Sequence, residues 1–117
     1  MNTGGSMGEP SNETGLVRHV LLARLRAGTP PEGFQTVAAG FREMAGKIEG
    51  IVGVEFGVNN SAEGLNHGLT HIVTLTFANA EARDAYLPHP VHHQFAKWLG
   101  QMELIEELLV FDYTPLG

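Results

Sequence analysis

Ten residues, YLPHPVHHQF from Tyr86 to Phe95, hold three of the chain's six histidines and one of its two tyrosines. An imidazole can take a proton near neutral pH. A phenol, with a reference pKa of about 10, stays protonated and can donate to a carbonyl oxygen. The pairing offers acid–base chemistry, with a base in His92 and a hydrogen-bond donor in Tyr86. The two prolines matter to this chemistry. Pro88 pushes Leu87 out of helical geometry, and Pro90 suits the first position of a new helix. His92 then falls in a first helical turn, where the positive end of the helix dipole favours neutral imidazole. It shares a face with Phe95 and Leu99, which points it inward, whereas His93 shares a face with Lys97 and points to water.

Each of these residues also has a structural reading. Tyr86 can pack and hydrogen-bond the chain break, and His92 can be a satisfied buried histidine. A zinc site built on His89, His92 and His93 is disfavoured, because Pro90 interrupts the helix and no H-E-x-x-H is present. No metal and no cofactor are expected. Gly-rich phosphate loops and serine triads find no support.

Composition narrows the classes further. The 117 residues suit a single domain with a small core. The formal charge is −6 and there is no basic run, which argues against nucleic acid and anionic membranes as partners. No apolar run approaches the ~20 residues needed to span a bilayer. The absence of cysteine excludes disulfides and thiolate metal sites and fits a cytoplasmic setting. Residues 1–15 lack a signal-peptide pattern and read as a flexible leader, with one domain over residues 16–117.

The elements that must position these side chains follow from periodicity. Val17 to Arg26 has strand length, with His19 on the face of Val17, Leu21, Ala23 and Leu25. Thr29 and Glu32 form a capping box with Pro30 as the first helical residue. Phe34, Val37, Ala38, Phe41, Met44, Ala45 and Ile48 repeat at helical spacing, and Gly50 is the expected stop. Ile51 to Asn59 is a second strand, Asn60 to Gly68 a loop, and Leu69 to Phe77 a third strand. In that third strand His71 alternates onto the face of Val73, Leu75 and Phe77. Asn79 caps a short helix ending before Pro88. A further helix opens at Pro90 and stops at Gly100. Leu104 to Tyr113 is the last strand. The order strand, helix, strand, strand, broken helix, strand is the ferredoxin-like β-α-β-β-α-β pattern, an α+β fold.

Together these segments resemble the stress-responsive A/B barrel domain family. The likeness rests on VRHVLL, EGIVGVEFGVN, SAEGLNHGLTHIVTLTF, YLPHPVH and LLVFDYTP, between Val17 and Pro115. It implies a four-stranded antiparallel sheet, order 4-1-3-2, with the helices on one face and a homodimeric α+β barrel. The residues support a dimer independently. Val20, Leu22, Ile72, Leu109 and Phe111 would form an apolar patch on the face opposite the helices, one that a second subunit could cover. The family includes a plant cyclase that closes a polyketide ring by aldol condensation. The resemblance carries its catalytic pair onto Tyr86 and His92, and its pocket onto His19, His89 and Asp112. A tyrosine of that enzyme's first helix is replaced here by Phe41, so the resemblance carries over the pocket but not the identity of the substrate. Phe95 joins the expected pocket lining.

The middle strands, one and three, are expected to run parallel. His19 and His71 would then start side by side, with Asp112 returning next to His19. The helix break would close over that same end. Two functions fit: a cofactor-free cyclase or lyase acting on a small apolar carbonyl compound, or a non-catalytic ligand-binding or stress-associated dimer. Monooxygenase or haem-handling activity is a third possibility, by fold analogy alone.

Overall fold

The computed structural model describes residues 15–116. The leader, apart from Gly15, lies outside the described residues. Seven elements follow in order: β1 (Val17–Leu25), α1 (Pro31–Ala45), β2 (Ile51–Val58), β3 (His71–Phe77), α2 (Ala80–Tyr86), α3 (Pro90–Met102) and β4 (Ile105–Tyr113). The sheet order is β2-β3-β1-β4, as expected for a ferredoxin-like fold.

Every strand pair is antiparallel, including β1 with β3, where Val17 opposes Phe77 and Ala23 opposes His71. The expectation of parallel middle strands is therefore wrong. The reason is topological. β2 and β3 are consecutive and antiparallel, and β3 inserts between β1 and β2, so it must run against both. His19 opposes Leu75, so His19 and His71 share a face but sit at opposite ends of it. Four residues of extended strand separate them, about 13 Å.

The core lies between this face and the helices. Leu75 and Phe77 are fully buried, and Val37, Phe41 and Tyr86 are nearly so. Each such side chain contributes roughly 1.5–3 kcal/mol relative to exposure. Strand alternation supplies one wall, and Val37, Ala38, Phe41 and Met44 of α1 supply the other. Phe41 stacks on Phe95 of α3 with ring centroids 4.6 Å apart. Gly40 permits that approach, since a Cβ there would meet the Trp98 ring at 2.6 Å.

Several element ends differ from the sequence reading. Helix α1 is capped by Pro30 with no side-chain hydrogen bond, and Thr29 instead donates to the Arg26 carbonyl at 2.6 Å. The capping box fails because a second proline, Pro31, lets the helix begin one residue later. The helix ends at Ala45 with Gly46 as its cap, and Gly50 has another task. Gly50 adopts φ +97° and abuts Ala82 of α2, where an added Cβ would stand 2.6 Å from the Ala82 Cβ. Helix α3 runs past Gly100 to Met102, and Glu103 takes the left-handed cap at φ 55°. Asn79 caps α2 as expected, accepting from the Ala82 amide at 2.8 Å.

The opposite sheet face is bare in the single chain. Phe111 is 57% exposed and Leu109 38% exposed. The loop after β2 overhangs this face. Leu65, Asn66, His67 and His71 join Leu22, Ile72, Leu109 and Phe111 around a cavity of about 370 Å³. Among the described residues no helix is long and apolar enough to cross a membrane.

Candidate functional site

Cross-strand register builds the first part of the site. His19 on β1 lies directly opposite Asp112 on β4. The His19 Nδ1 and Asp112 Oδ1 are 2.7 Å apart, with the His19 side chain 8% exposed and that of Asp112 26%. An ionised carboxylate only accepts, so His19 Nδ1 donates and its Nε2 carries the lone pair when the ring is neutral. The second Asp112 oxygen accepts from Arg83 on α2 at 3.0 Å. Arg83 Nε also donates to Asp84 at 2.7 Å.

The helix break supplies the second part. Tyr86, the last residue of α2, is 2% exposed. Its ring meets Phe77 at a tilt at 5.1 Å, His19 edge-on at 5.6 Å and His92 at a tilt at 4.2 Å between centroids. Burial first, and the Asp112 charge second, push the Tyr86 hydroxyl up to about 12. It stays protonated at neutral pH and is available as a donor.

His92 is oriented by the chain break itself. Its Nδ1 lies 3.1 Å from the Leu87 carbonyl. A carbonyl only accepts, so Nδ1 carries the proton and Nε2 is free as a base. Leu87 ends α2, and its carbonyl is one of those a helix terminus leaves without an intrahelical partner. Desolvation lowers the His92 pKa, and His93, His19 and His89 lower it further, against the opposing Leu87 bond. The ring is therefore held towards its neutral form.

His89 sits beside this group but has a local job. It caps α3, with Nδ1 accepting from the Val91 amide at 3.0 Å. Pro90 makes the cap necessary by removing an amide and fixing where the helix starts. His93 is exposed, as expected. Among the described residues no group of three or more histidine or acidic side chains is placed to hold a metal ion.

The remaining candidate lining residues lie elsewhere. His71 packs on Phe34 at 4.4 Å and shares a hydrogen bond with the Thr70 hydroxyl at 2.8 Å. It is excluded from the Tyr86 cluster because β3 runs against β1. Phe41 lines an apolar crevice of about 20 Å³ between sheet and helices, with Leu21, Val37, Val73 and Leu99. Phe95 lines an outer groove of about 310 Å³ between α1 and α3, with Gly40, Met44, Lys47, Val91 and Trp98. Tyr86 and His92 line none of these three cavities.

Two contributors were not singled out from sequence. Arg83 carried no motif, and its role depends on β4 returning beside β1. The Leu87 carbonyl is a backbone group, and the only hint of it was Pro88 ending the helix.

The comparisons with known proteins agree with this architecture. Residues 17–115 match the family model described as the stress responsive A/B barrel domain. The stress-response A/B barrel domain-containing protein HS1 of Arabidopsis thaliana is 37% identical over 102 residues, 86% of this chain and 91% of that protein. Olivetolic acid cyclase of Cannabis sativa is 26% identical over 99 residues, 85% of this chain and 96% of the cyclase. The crystal structure of At3g17210 from Arabidopsis thaliana aligns with TM-score 0.79 at 35% identity, covering 86% of this chain and 96% of that one. A dimeric ferredoxin-like protein of unknown function from Bacteroides fragilis aligns with TM-score 0.61 at 26% identity, covering 87% and 98% of the two chains. With its sheet order, its broken second helix and nearly the whole described chain matched, the protein belongs to the stress-responsive A/B barrel domain family.

Proposed function

We propose that this chain is a cofactor-free cyclase or lyase that acts on a small, largely apolar carbonyl compound of polyketide type. The carrying observation is the free Nε2 of His92 on a ring 4.2 Å from the Tyr86 ring. His92 Nε2 takes a proton from a carbon between two carbonyls. The electron pair moves to a carbonyl oxygen, and the Tyr86 hydroxyl donates to that enolate. The enolate carbon then attacks a second carbonyl of the same chain, and the imidazolium returns its proton to the new alkoxide. A positioned base contributes roughly 10²–10⁴-fold. The likeness to olivetolic acid cyclase supports this class of substrate.

The protein works as a homodimer in this reading, its subunits joined through Val20, Leu22, Ile72, Leu109 and Phe111. The exposure of Phe111 supports that face, and the dimeric Bacteroides neighbour supports a dimer. A cytoplasmic setting belongs to the same reading, supported by the cysteine-free composition.

One observation favours the non-catalytic alternative. The interior crevice of about 20 Å³ has room for roughly one water, and Tyr86 is 2% exposed. In that case Tyr86 packs, His92 caps α2, and the dimer binds or shelters something without turnover.

Turnover of linear poly-β-keto thioesters, followed by product chromatography, separates the two. The enzyme reading expects ring-closed product from the parent. It expects a loss of at least 10²-fold in His92→Ala and Tyr86→Phe with melting temperatures near the parent's. No product from the parent, with both variants strongly destabilised, selects the structural reading. Light scattering tests the dimer. Phe111→Asp should give a monomer, and a parent that is monomeric at micromolar concentration defeats the interface.

A further inference from the structure

We infer that Arg83 is a positioning residue for the site: it clamps the Asp112 carboxylate so that His19 is held as a single tautomer, Nε2 unprotonated, against the buried Tyr86 ring. The inference rests on the functional reading above for its purpose, though not for its geometry.

Three distances carry it. Asp112 spends one oxygen on His19 Nδ1 at 2.7 Å and the other on Arg83 at 3.0 Å. Both lone-pair sides of the carboxylate are thereby committed, and it cannot rotate without breaking a charge-assisted bond. Arg83 is itself fixed, because its Nε donates to Asp84 on the same helix at 2.7 Å. The guanidinium is planar, so anchoring one edge on Asp84 aims the other at β4. The clamp thus ties α2 to the edge strand, and both to β1.

The surroundings explain why a clamp is needed. His19 is 7% exposed and is faced by Asp112 from β4, Tyr86 and Arg83 from α2, Phe77 from β3 and His92 from α3. Without Arg83 one Asp112 oxygen loses its partner, and the carboxylate is free to turn away from the His19 Nδ1. The result is two imidazoles of the same tautomer, His19 and His92, against one phenol ring, each with Nδ1 tied to an acceptor and Nε2 free. His92 gets its acceptor from the backbone of the helix break, and His19 gets it from Asp112 as held by Arg83.

The test uses the full chain with ¹⁵N-labelled histidine, read by long-range ¹H–¹⁵N correlation at neutral pH. In the parent, His19 should show one protonated nitrogen, Nδ1, and one unprotonated, Nε2. Arg83→Gln should convert His19 to a tautomer mixture, and Arg83→Lys should restore part of the parent pattern. Asp84→Asn, which loosens the clamp without removing it, should fall between. Where the parent turns over substrate, Arg83→Gln should lower kcat at least tenfold with KM within about twofold. An unchanged His19 pattern in Arg83→Gln overturns the inference even if the enzyme reading holds. A parent without turnover defeats the enzyme reading and leaves the spectroscopic result to decide the clamp.

Discussion

His19 and His71 occupy the same face of two adjacent strands, yet only His19 joins the cluster of Tyr86, His92 and Asp112. His19 has a carboxylate opposite it in register, a guanidinium behind that carboxylate, and two more titratable rings against it. His71 has an aromatic ring and a neighbouring hydroxyl. Its pKa is lowered by burial alone. Both are histidines on one sheet face, His19 buried and His71 half-buried, and residue type and face alone make no site. What differs is the set of groups that other elements bring there: β4 and the helix break reach the His19 end and miss the His71 end.

The contrast should break most easily at Tyr86. Tyr86→Ala removes a buried ring contacted from three sides and should cost about 3–5 kcal/mol in urea unfolding. Phe34→Ala, beside His71 and only partly buried, should cost clearly less. Equal losses would mean that the two ends are equivalent in packing.

The Tyr86 hydroxyl offers a second check. In a Tyr113→Phe background tyrosinate absorbance should rise near pH 12, not near the ordinary value of about 10. The folded pKa is the higher one, so the unfolded chain ionises first. Stability should fall as pH rises from about 10. A midpoint near 10 in the folded protein would show that Tyr86 is open to water.

Asp112→Ala should cost about 1–3 kcal/mol, because it leaves the buried His19 Nδ1–H without its acceptor. His71→Phe should stay within about 1 kcal/mol at neutral pH. The reverse order would show that the Asp112 bond is solvated and idle.

The smallest effect is on the acid side. His71 and His92 both have folded pKa values below the unfolded value of about 6.5. The unfolded chain therefore takes up protons first. Their contribution to stability is complete above that pH and is lost as pH falls through the folded values. His71→Phe should shrink the drop in melting temperature between neutral and mildly acid buffer by a degree or two. A drop of undiminished size would place the acid sensitivity entirely at the Tyr86 end.

Element order, the inward faces of β1, α1 and β3, a break between the two short helices and the exposed Phe111 patch were legible in the chain, although Leu87 keeps helical angles before Pro88 and it is His89, before Pro90, that turns extended. They depend on periodicities and local sterics, which act within a few residues. Tyr86, His92, His19 and Asp112 were named as a group through the family resemblance, and cross-strand register with the helix break brings them together. The position of His71 was missed because it turns on β3 running against β1, which follows from the antiparallel strand order and not from the strand's own residues. Arg83 was invisible for a related reason. On α2 it is one more surface cation until β4 brings Asp112 within 3.0 Å of it. The sequence by itself determined which residues face inward and where the chain must bend. Tertiary structure decided which inward residues meet, because strand direction and edge pairing bring together groups 29 and 93 positions apart, as for Arg83 and His19 with Asp112.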